Sequence, residues 1–231
     1  MRSETATDTS IWLEGIGVEA EGRPILVDVT VRLTAQRTAV IGGNGSGKST
    51  FARLLNGLRL PTSGRLRVLG LDPVRDAKEL RSRVGFVFTN PEAQILMPTP
   101  AEDLALSLRG TPRQRLRDRI EVVLDEYGLA GRGDVPAAAL SGGQRQLLAL
   151  ASVLVTGPEL VVADEPTTLL DLRNARRIGD LLLARESRLV LVTHDLELAA
   201  RCDDAVLFED GRVRAQGDPA EVIEEYRASC T

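Results

Sequence analysis

The chain has 231 residues and a formal net charge of −4, with 43% hydrophobic and 27% charged residues. A chain of this length can bury one substantial core and still carry an inserted subdomain. The negative charge and the mixing of acidic with basic residues argue against binding to nucleic acid. No apolar run approaches the roughly 20 residues needed to cross a bilayer. We therefore predict no nucleic acid partner and no direct membrane insertion.

Two further features of the sequence bear on location. The first ten residues, MRSETATDTS, lack the apolar core of a signal peptide and are predicted to form a polar tail. The two cysteines, Cys202 and Cys230, have no ligand partners at metal-binding spacing, which indicates free thiols in a reducing compartment. The sequence thus predicts a cytoplasmic protein whose role at a membrane, if it has one, depends on a partner.

Short apolar runs predict the strands of an α/β core. They lie at Ile11–Val18, Val27–Leu33, Thr38–Ile41, Arg65–Val68, Leu160–Ala163, Leu189–Thr193 and Ala205–Glu209. A turn is predicted at Gly22–Pro24 and a helix at Phe51–Leu58. Asp218 is an acidic cap followed by proline, with Glu221 three positions on, and this pattern predicts the start of the last helix.

The segment from about 91 to 136 differs from the rest, because strand signals disappear there. An apolar face recurs at helical spacing, formed by Leu116, Ile120, Val123 and Leu124. The alternating arginines from 113 to 119 are predicted to be the solvated side of the same helix. We interpret the whole as an α/β core that carries a mostly helical insert.

A glycine-rich loop follows the third predicted strand. It matches the pattern G-x-x-x-x-G-K-S/T with Gly42, Gly43, Asn44, Gly45, Ser46, Gly47, Lys48, Ser49 and Thr50. Glycines let backbone amides turn inward around a polyphosphate, and the helix that follows directs its positive end at the same phosphates. Lys48 is predicted to neutralise the β- and γ-phosphates, and the Ser49 hydroxyl to ligate Mg²⁺.

Two carboxylates end the apolar run at Leu160–Ala163. Asp164 is predicted to lie at the carboxyl edge of the sheet, near a metal ion held by Ser49. Glu165 is predicted to face the γ-phosphate, where it can polarise the attacking water. The two residues would divide metal binding and general-base catalysis between them.

A second anion-binding turn ends 20 residues before Asp164, with Ser141, Gly142, Gly143 and Gln144 after Leu140. A small-residue turn that opens a helix presents backbone amides to an anion. A single chain has no need of two such sites for one triphosphate. Two copies arranged head to tail could use both, since each would offer Ser141 to the nucleotide on the phosphate loop of the other.

These motifs, in this order, resemble the ABC ATPase family from about Ile11 to Ile223. The resemblance implies an α/β fold with a P-loop NTPase (RecA-like) core, an N-terminal antiparallel β subdomain and an inserted α-helical subdomain at about 91–150. It implies a single ABC ATPase domain over residues 1–231. It also implies ATP and Mg²⁺ as cofactors and a second ABC ATPase subunit, identical or homologous, whose ATP is contacted by residues 141–144.

The family resemblance assigns further roles in catalysis and dimerisation. The segment Pro166–Asp171 looks like the loop after the catalytic glutamate, with Asp171 at the dimer contact. Thr193–Asp195 resembles the switch motif, and His194 is the only histidine in the protein. An imidazole there can hydrogen-bond the γ-phosphate and orient water. The catalytic candidates are therefore Glu165 and His194.

The chain departs from the family pattern in two places. Residues 17–22 contain no aromatic residue to stack on adenine, so an apolar residue such as Val18 is the expected substitute. Trp12 comes too early for this role and is expected in the core or at an edge. Thr89 stands where the family has a glutamine that touches Mg²⁺, and its shorter hydroxyl would reach the metal through water.

Residues 90–105 are similar to the ATPases of energy-coupling-factor (ECF) importers of the biotin or cobalt branch, with Gln94 at their characteristic second glutamine. This resemblance implies an ATPase that dimerises around Mg·ATP and powers an importer for a vitamin (biotin) or a metal ion (cobalt). It implies a transmembrane coupling protein that docks near Thr89–Leu106, a substrate-binding membrane subunit, and a peripheral position on the inner face of the cell membrane.

Two alternatives stay open at this point. The chain could be the ATPase of a different ABC importer, or a poorly hydrolysing structural partner in an ATPase heterodimer. A soluble ABC protein acting on DNA or ribosomes is disfavoured, because the sequence has neither long coiled-coil arms nor tandem ATPase cassettes.

Overall fold

A computed structural model describes residues 10–168 and 170–230. Residues 1–9 of the predicted polar tail, and position 169 in the loop after the catalytic glutamate, lie outside the described residues. Within the described ranges, no helix has the combined length and apolar character that a bilayer-spanning segment requires.

The strands of the described chain form two sheets. They are β1 (Ile11–Ala20), β2 (Arg23–Leu33), β3 (Arg37–Gly42), β4 (Ser63–Val68), β5 (Val84–Val87), β6 (Leu160–Asp164), β7 (Arg188–Val192), β8 (Asp204–Glu209) and β9 (Arg212–Gly217). A three-stranded antiparallel sheet has the order β2-β1-β4. A six-stranded sheet has the order β5-β6-β7-β3-β8-β9 and is parallel except for β9.

Helices surround the larger sheet. They are α1 (Lys48–Leu54), α2 (Ala77–Arg83), α3 (Pro100–Ser107), α4 (Arg113–Glu126), α5 (Gly142–Leu154), α6 (Leu172–Leu183), α7 (Leu196–Ala199) and α8 (Pro219–Ser229). Between β5 and β6, where every residue is described, the chain is helical or irregular and contains no strand. As predicted, α4 buries Ile120, Val123 and Leu124, while its arginines from 113 to 119 are exposed.

Hydrophobic side chains pack on both faces of the six-stranded sheet. Along β3, Ala39 and Ile41 enter one core while Val40 enters the other, because successive residues of a strand point to opposite faces. The first core packs against α3 to α8, and the second packs against α1, α2 and the antiparallel sheet. Coverage of both faces explains why the central strands are continuously apolar.

Two local predictions need correction, and one strand was missed. The helix predicted at Phe51–Leu58 begins earlier, at Lys48, and ends at Leu54, because the glycine-rich loop turns directly into it. The turn predicted at Gly22–Pro24 lies one residue earlier, at positions 21 and 22, where φ is 51° and 73°. Positive φ at both positions is typical of a two-residue hairpin turn. Strand β9 was not predicted, since its side chains are exposed or half-buried and give no apolar run.

The order of the parallel strands brings four chain segments to one place. Strands β5, β6, β7 and β3 are neighbours, and their carboxyl ends lie along the same edge of the sheet. The residues that follow these ends are Thr89, Glu165, His194 and the glycine-rich loop. Ligands of open α/β sheets bind outside this edge.

Candidate functional site

The glycine-rich loop joins β3 to α1 through positions that only glycine fits. Gly42 has a φ of 141°, and a Cβ atom there would lie 2.1 Å from the carbonyl oxygen of Phe208. Gly47 has a φ of 99°, and its Cβ would lie 2.6 Å from the Leu26 side chain. The two glycines permit a tight turn into the first turn of α1, whose amides have no acceptor within the helix and are available to an anion.

A cavity of about 260 Å³ lies over this loop and is lined by Ile25, residues 44–50, Glu165 and His194. Lys48 is buried beneath it, and its Nζ donates hydrogen bonds of 2.8 Å to the carbonyl oxygens of Gly42 and of Gly43. The pKa of Lys48 lies below its ordinary value, because burial lowers it by more than the carboxylates of Glu165 and Asp164 raise it.

Ser46 supplies direct evidence that the loop is built for a polar ligand. The residue is only 7% exposed, and its Oγ has no hydrogen-bond partner among the residues that the structure describes. A buried hydroxyl left without a partner costs about 1–3 kcal/mol, which a bound oxyanion would offset. The loop, the buried lysine and this hydroxyl together fit a polyphosphate.

Asp164, the last residue of β6, lies beside the hydroxyl of Ser49. The Ser49 Oγ donates a 2.9 Å hydrogen bond to Oδ1 of Asp164. Burial raises the pKa of Asp164, while the bond from Ser49 and the nearby cations Arg53 and Lys48 act in the opposite direction. Mg²⁺ in nucleotide sites takes oxygen ligands, commonly one or two protein groups together with substrate phosphates and water. The Ser49 and Asp164 oxygens therefore fit Mg²⁺.

Glu165 has an unusual backbone conformation and a carboxylate in the cavity. Its φ is 52°, in the left-handed region that non-glycine residues rarely adopt. Its Oε2 accepts hydrogen bonds from Thr168 Oγ1 at 3.2 Å and from the His194 amide at 3.3 Å. The His194 Nε2 lies 3.1 Å from Oε1 of Glu165. The two catalytic candidates are thus adjacent, next to the phosphate loop.

Thr89 and Gln94 have partners within the protein. The Thr89 hydroxyl donates a 2.8 Å hydrogen bond to the backbone carbonyl oxygen of Asp164. Both polar atoms of the Gln94 side-chain amide form hydrogen bonds. Its Oε1 accepts from the Phe88 amide at 3.1 Å, and its Nε2 donates to the carbonyl oxygen of Ala149 at 2.7 Å. Both side chains therefore join segments of this chain to one another.

The nucleobase end of the site differs from expectation. Val18 is fully buried in the hydrophobic core, so the expectation that it stacks on adenine is wrong. Ile25 of β2 is half-buried and lines the cavity. The sequence analysis missed this position in the site, because it depends on the register of the hairpin.

Trp12 is half-buried on β1, the middle strand of its sheet, so neither a core nor an edge position is correct. The Arg65 guanidinium lies 5.8 Å from its ring centroid.

The second anion-binding turn, residues 141–144, is called the signature turn below, and it caps α5. Ser141 Oγ accepts a 3.2 Å hydrogen bond from the Gln144 amide, and Gln144 Oε1 accepts a 2.9 Å bond from the Ser141 amide. Ser141 and Gly142 are exposed, whereas Gly143 is buried. None of these four residues lines the cavity over the phosphate loop, and neither does Asp171.

Asp171 is hydrogen-bonded to Asn174, whose side chain lies next to Gly143 of the signature turn. The sequence analysis missed Asn174. Asp171 caps α6, accepting from the Asn174 amide at 2.8 Å and from Asn174 Nδ2 at 2.7 Å. These bonds hold the pKa of Asp171 below its ordinary value. A Cβ on Gly143 would lie 2.7 Å from the Asn174 side chain. The sequence signal that could have identified Asn174 was its position three residues after Asp171, a spacing typical of a helix cap.

A phosphate loop between a strand and a helix, with acidic residues after a neighbouring strand, defines a P-loop nucleotide-binding protein. Residues 27–168 match the family model described as ABC transporter. The chain therefore belongs to the ABC transporter family. It is an ATP-binding ATPase of that family, an enzyme whose hydrolysis of ATP is coupled to transport.

Named relatives support this placement. The biotin transport ATP-binding protein BioM of Rhizobium etli is 41% identical, over 94% of this chain and 98% of that protein. The energy-coupling factor transporter ATP-binding protein EcfA1 of Halalkalibacterium halodurans is 37% identical, over 90% of this chain and 77% of that protein. The structure of cbiO1 from Clostridium perfringens, described as part of the ABC transporter complex cbiONQ, gives a TM-score of 0.82 at 29% identity, covering 94% and 92% of the two chains. The predicted family and the α/β P-loop NTPase fold are confirmed.

Proposed function

We propose that the chain is the ATPase subunit of an ECF-type importer and that two copies of it close around two Mg·ATP. The relatives BioM and EcfA1 support the type of importer. One observation carries the dimer: the phosphate loop and the signature turn are both intact, yet residues 141–144 do not line the nucleotide cavity of their own chain. A second copy placed head to tail would supply them. Because one chain carries every element, two identical copies suffice.

The phosphate loop binds the substrate ATP. The amides of residues 42–50 and Lys48 hold its phosphates, and the aliphatic side chain of Ile25 contacts the base. Ser49 and Asp164 would hold Mg²⁺, which neutralises the charge of the phosphates when bound. Breaking the hydrogen bonds from Lys48 to Gly42 and Gly43 frees its ammonium group for the β- and γ-phosphates.

Glu165 acts as the general base. The oxygen of a water molecule attacks the γ-phosphorus, the bond to the β,γ-bridging oxygen breaks, and the proton of the water passes to the Glu165 carboxylate. His194, beside that carboxylate, donates a hydrogen bond to the γ-phosphate and orients the water. The presence of both side chains in the cavity favours a hydrolysing subunit over a poorly hydrolysing structural partner.

Dimer closure depends on the γ-phosphate. Ser141 and the amides of residues 142–144 bind the ATP of the other copy, and Asp171 lies at the same contact. ATP favours the closed dimer because its γ-phosphate contacts both copies, whereas ADP cannot. Hydrolysis therefore lets the two copies separate, which is the motion that a transporter can use.

The remaining partners are membrane proteins. We place a transmembrane coupling protein near Thr89–Leu106, where Leu96 is 71% exposed, and a substrate-binding membrane subunit beside it. The proposed cargo class is a vitamin such as biotin or a metal ion such as cobalt, as the resemblance of residues 90–105 implies. Among the named relatives, BioM is a biotin transport protein and NikO of Rhodobacter capsulatus a nickel import protein. The chain would form one ABC ATPase domain over 1–231, with its helical subdomain at about 91–150, on the cytoplasmic face of the membrane.

The direct test is ATPase activity of the purified chain, alone and reconstituted with the membrane proteins that co-purify with it. We expect the chain to hydrolyse ATP in a Mg²⁺-dependent reaction. In the reconstituted complex, addition of the transported substrate should stimulate this hydrolysis. A folded chain that binds no ATP in the presence of Mg²⁺ would refute the proposal.

The metal site makes a separate prediction. Ser49→Ala removes one of the two proposed Mg²⁺ ligands, so the Mg²⁺ concentration for half-maximal ATPase activity should rise at least about 10-fold. Binding of ATP in EDTA should be unchanged, because the phosphate contacts remain. Ser82→Ala, at an exposed serine of α2, is the matched control and should have the wild-type Mg²⁺ dependence. An unaltered Mg²⁺ dependence of Ser49→Ala would contradict this assignment.

A further inference from the structure

The peptide that joins Asp164 to Glu165 is held on both of its sides. Its carbonyl oxygen accepts the 2.8 Å hydrogen bond from the Thr89 hydroxyl. Its amide, which belongs to Glu165, donates a 2.9 Å hydrogen bond to the carbonyl oxygen of Val192. Because a planar peptide rotates as one body, the two bonds together fix its orientation.

That orientation decides where the Glu165 side chain points. The left-handed φ of 52° is a conformation that persists in a non-glycine residue only when its surroundings hold it. In this conformation the carboxylate lies 3.1 Å from Nε2 of His194, over the phosphate loop. Rotation of the 164–165 peptide would swing the carboxylate out of this position.

Thr89 is itself fixed through its neighbour Phe88. The Phe88 amide donates to Gln94 Oε1 at 3.1 Å, and its carbonyl oxygen accepts from Gln146 Nε2 at 3.4 Å. Gln94 then donates from Nε2 to the carbonyl oxygen of Ala149 in α5 at 2.7 Å. The segment that carries Thr89 is thus tied to the helix that begins at the signature turn.

We propose that Thr89 is a positioning residue for Glu165, acting through the 164–165 peptide, and that Gln94 holds Thr89 in place against α5. This inference rests on the proposed function, because it takes Glu165 as the base for the attacking water. In this scheme the hydrogen bond to the Asp164 carbonyl oxygen replaces the water-mediated contact with Mg²⁺ that the sequence analysis expected of Thr89. It keeps the left-handed backbone of Glu165 from relaxing.

Kinetics separate this role from a structural one. Thr89→Val keeps the side-chain shape and removes the hydroxyl. The kcat should fall about 10-fold, which corresponds to the free energy of one hydrogen bond, while KM for ATP stays within twofold. Thr89→Ser restores the hydroxyl and should recover most of kcat. Thr156→Val removes a hydroxyl whose hydrogen bond, among the described residues, is to the Val153 carbonyl oxygen of its own turn, and it should leave kcat unchanged.

Hydrogen exchange tests the contact itself, without nucleotide. In Thr89→Val, peptides that contain the Glu165 amide should exchange faster than in the wild type, because one of the two restraints on the peptide is gone. Peptides from α8 should be unaffected, and Thr89→Ser should restore slow exchange. Thr89→Ala takes the place of the valine variant if the latter does not fold.

Gln94→Met tests the second part of the proposal. It should lower kcat in the same direction, and the double variant with Thr89→Val should be no slower than Thr89→Val alone, since both act through one peptide. If the effects of the two substitutions on kcat multiply, Gln94 acts independently of Thr89 and the second part of the proposal is wrong.

Wild-type kcat and wild-type exchange at Glu165 in Thr89→Val would overturn the role of Thr89. A wild-type protein without ATPase activity would instead contradict the proposed function, and the exchange measurement would still decide whether Thr89 holds the peptide.

Discussion

Replacing Glu165 with glutamine should lower kcat for ATP hydrolysis about 10²- to 10⁴-fold, the contribution of a well-placed general base. The amide cannot accept the proton of the attacking water, although its size and position are unchanged. ATP binding should be retained, because the phosphate loop, Lys48 and the Ser49–Asp164 pair are intact. Single-turnover hydrolysis and equilibrium binding of a fluorescent ATP analogue measure the two properties separately.

A matched control for this variant lies on α8. Glu224→Gln changes an exposed glutamate whose only ion pair is with Arg227 on the same helix, among the contacts of the described residues, so kcat should be unchanged. Near-wild-type turnover in Glu165→Gln would show that another group accepts the proton and would remove Glu165 from the mechanism.

Replacing Lys48 with alanine should abolish detectable ATPase activity and raise the Kd for Mg·ATP by at least about 10- to 100-fold. The buried ammonium group donates hydrogen bonds to the loop carbonyls of Gly42 and Gly43, which places it at the base of the phosphate loop. Hydrogen bonds to charged groups contribute about 1.5–3 kcal/mol each. Isothermal titration with Mg·ATP measures the change. ADP binding should weaken too, since Lys48 contacts the β-phosphate in both nucleotides.

The chain offers a precise control, because its other lysine is Lys78, exposed on α2. Lys78→Ala should bind and hydrolyse ATP like the wild type. Should Lys48→Ala bind Mg·ATP with wild-type affinity, the phosphates would have to be held elsewhere, and the assignment of the loop would fail.

The parts of the site that the sequence predicts are local. Residues 42–50 form a turn and the start of α1, and residues 141–144 form the cap and first turn of α5. Both conformations depend on adjacent glycines and on the helix that follows. Asp164 could be placed near Ser49 because β6 and β3 are buried parallel strands, whose carboxyl ends meet at one edge. Pattern and chain order suffice for such features.

The parts that the sequence does not predict depend on distant contacts or on strand register. Thr89 and Asp164 are separated by 75 positions, and no local pattern shows that one hydroxyl reaches the other residue's carbonyl oxygen. Irregularities interrupt the pairing of β1 with β2 between Leu13 and Glu19, so the alternation rule does not reveal that Val18 points into the core. For the same reason Ile25 could not be assigned to the cavity.

The central claim is that ATP is held between the phosphate loop of one copy and the signature turn of another. The most direct measurement is the mass of Glu165→Gln in solution with Mg·ATP, by light scattering after size exclusion. The account predicts about 50 kDa with ATP, twice the chain's 25.0 kDa, and a monomer with ADP. Adding Ser141→Arg should restore the monomer while ATP binding persists. A monomer with Mg·ATP, or a dimer that Ser141→Arg leaves intact, would contradict the account.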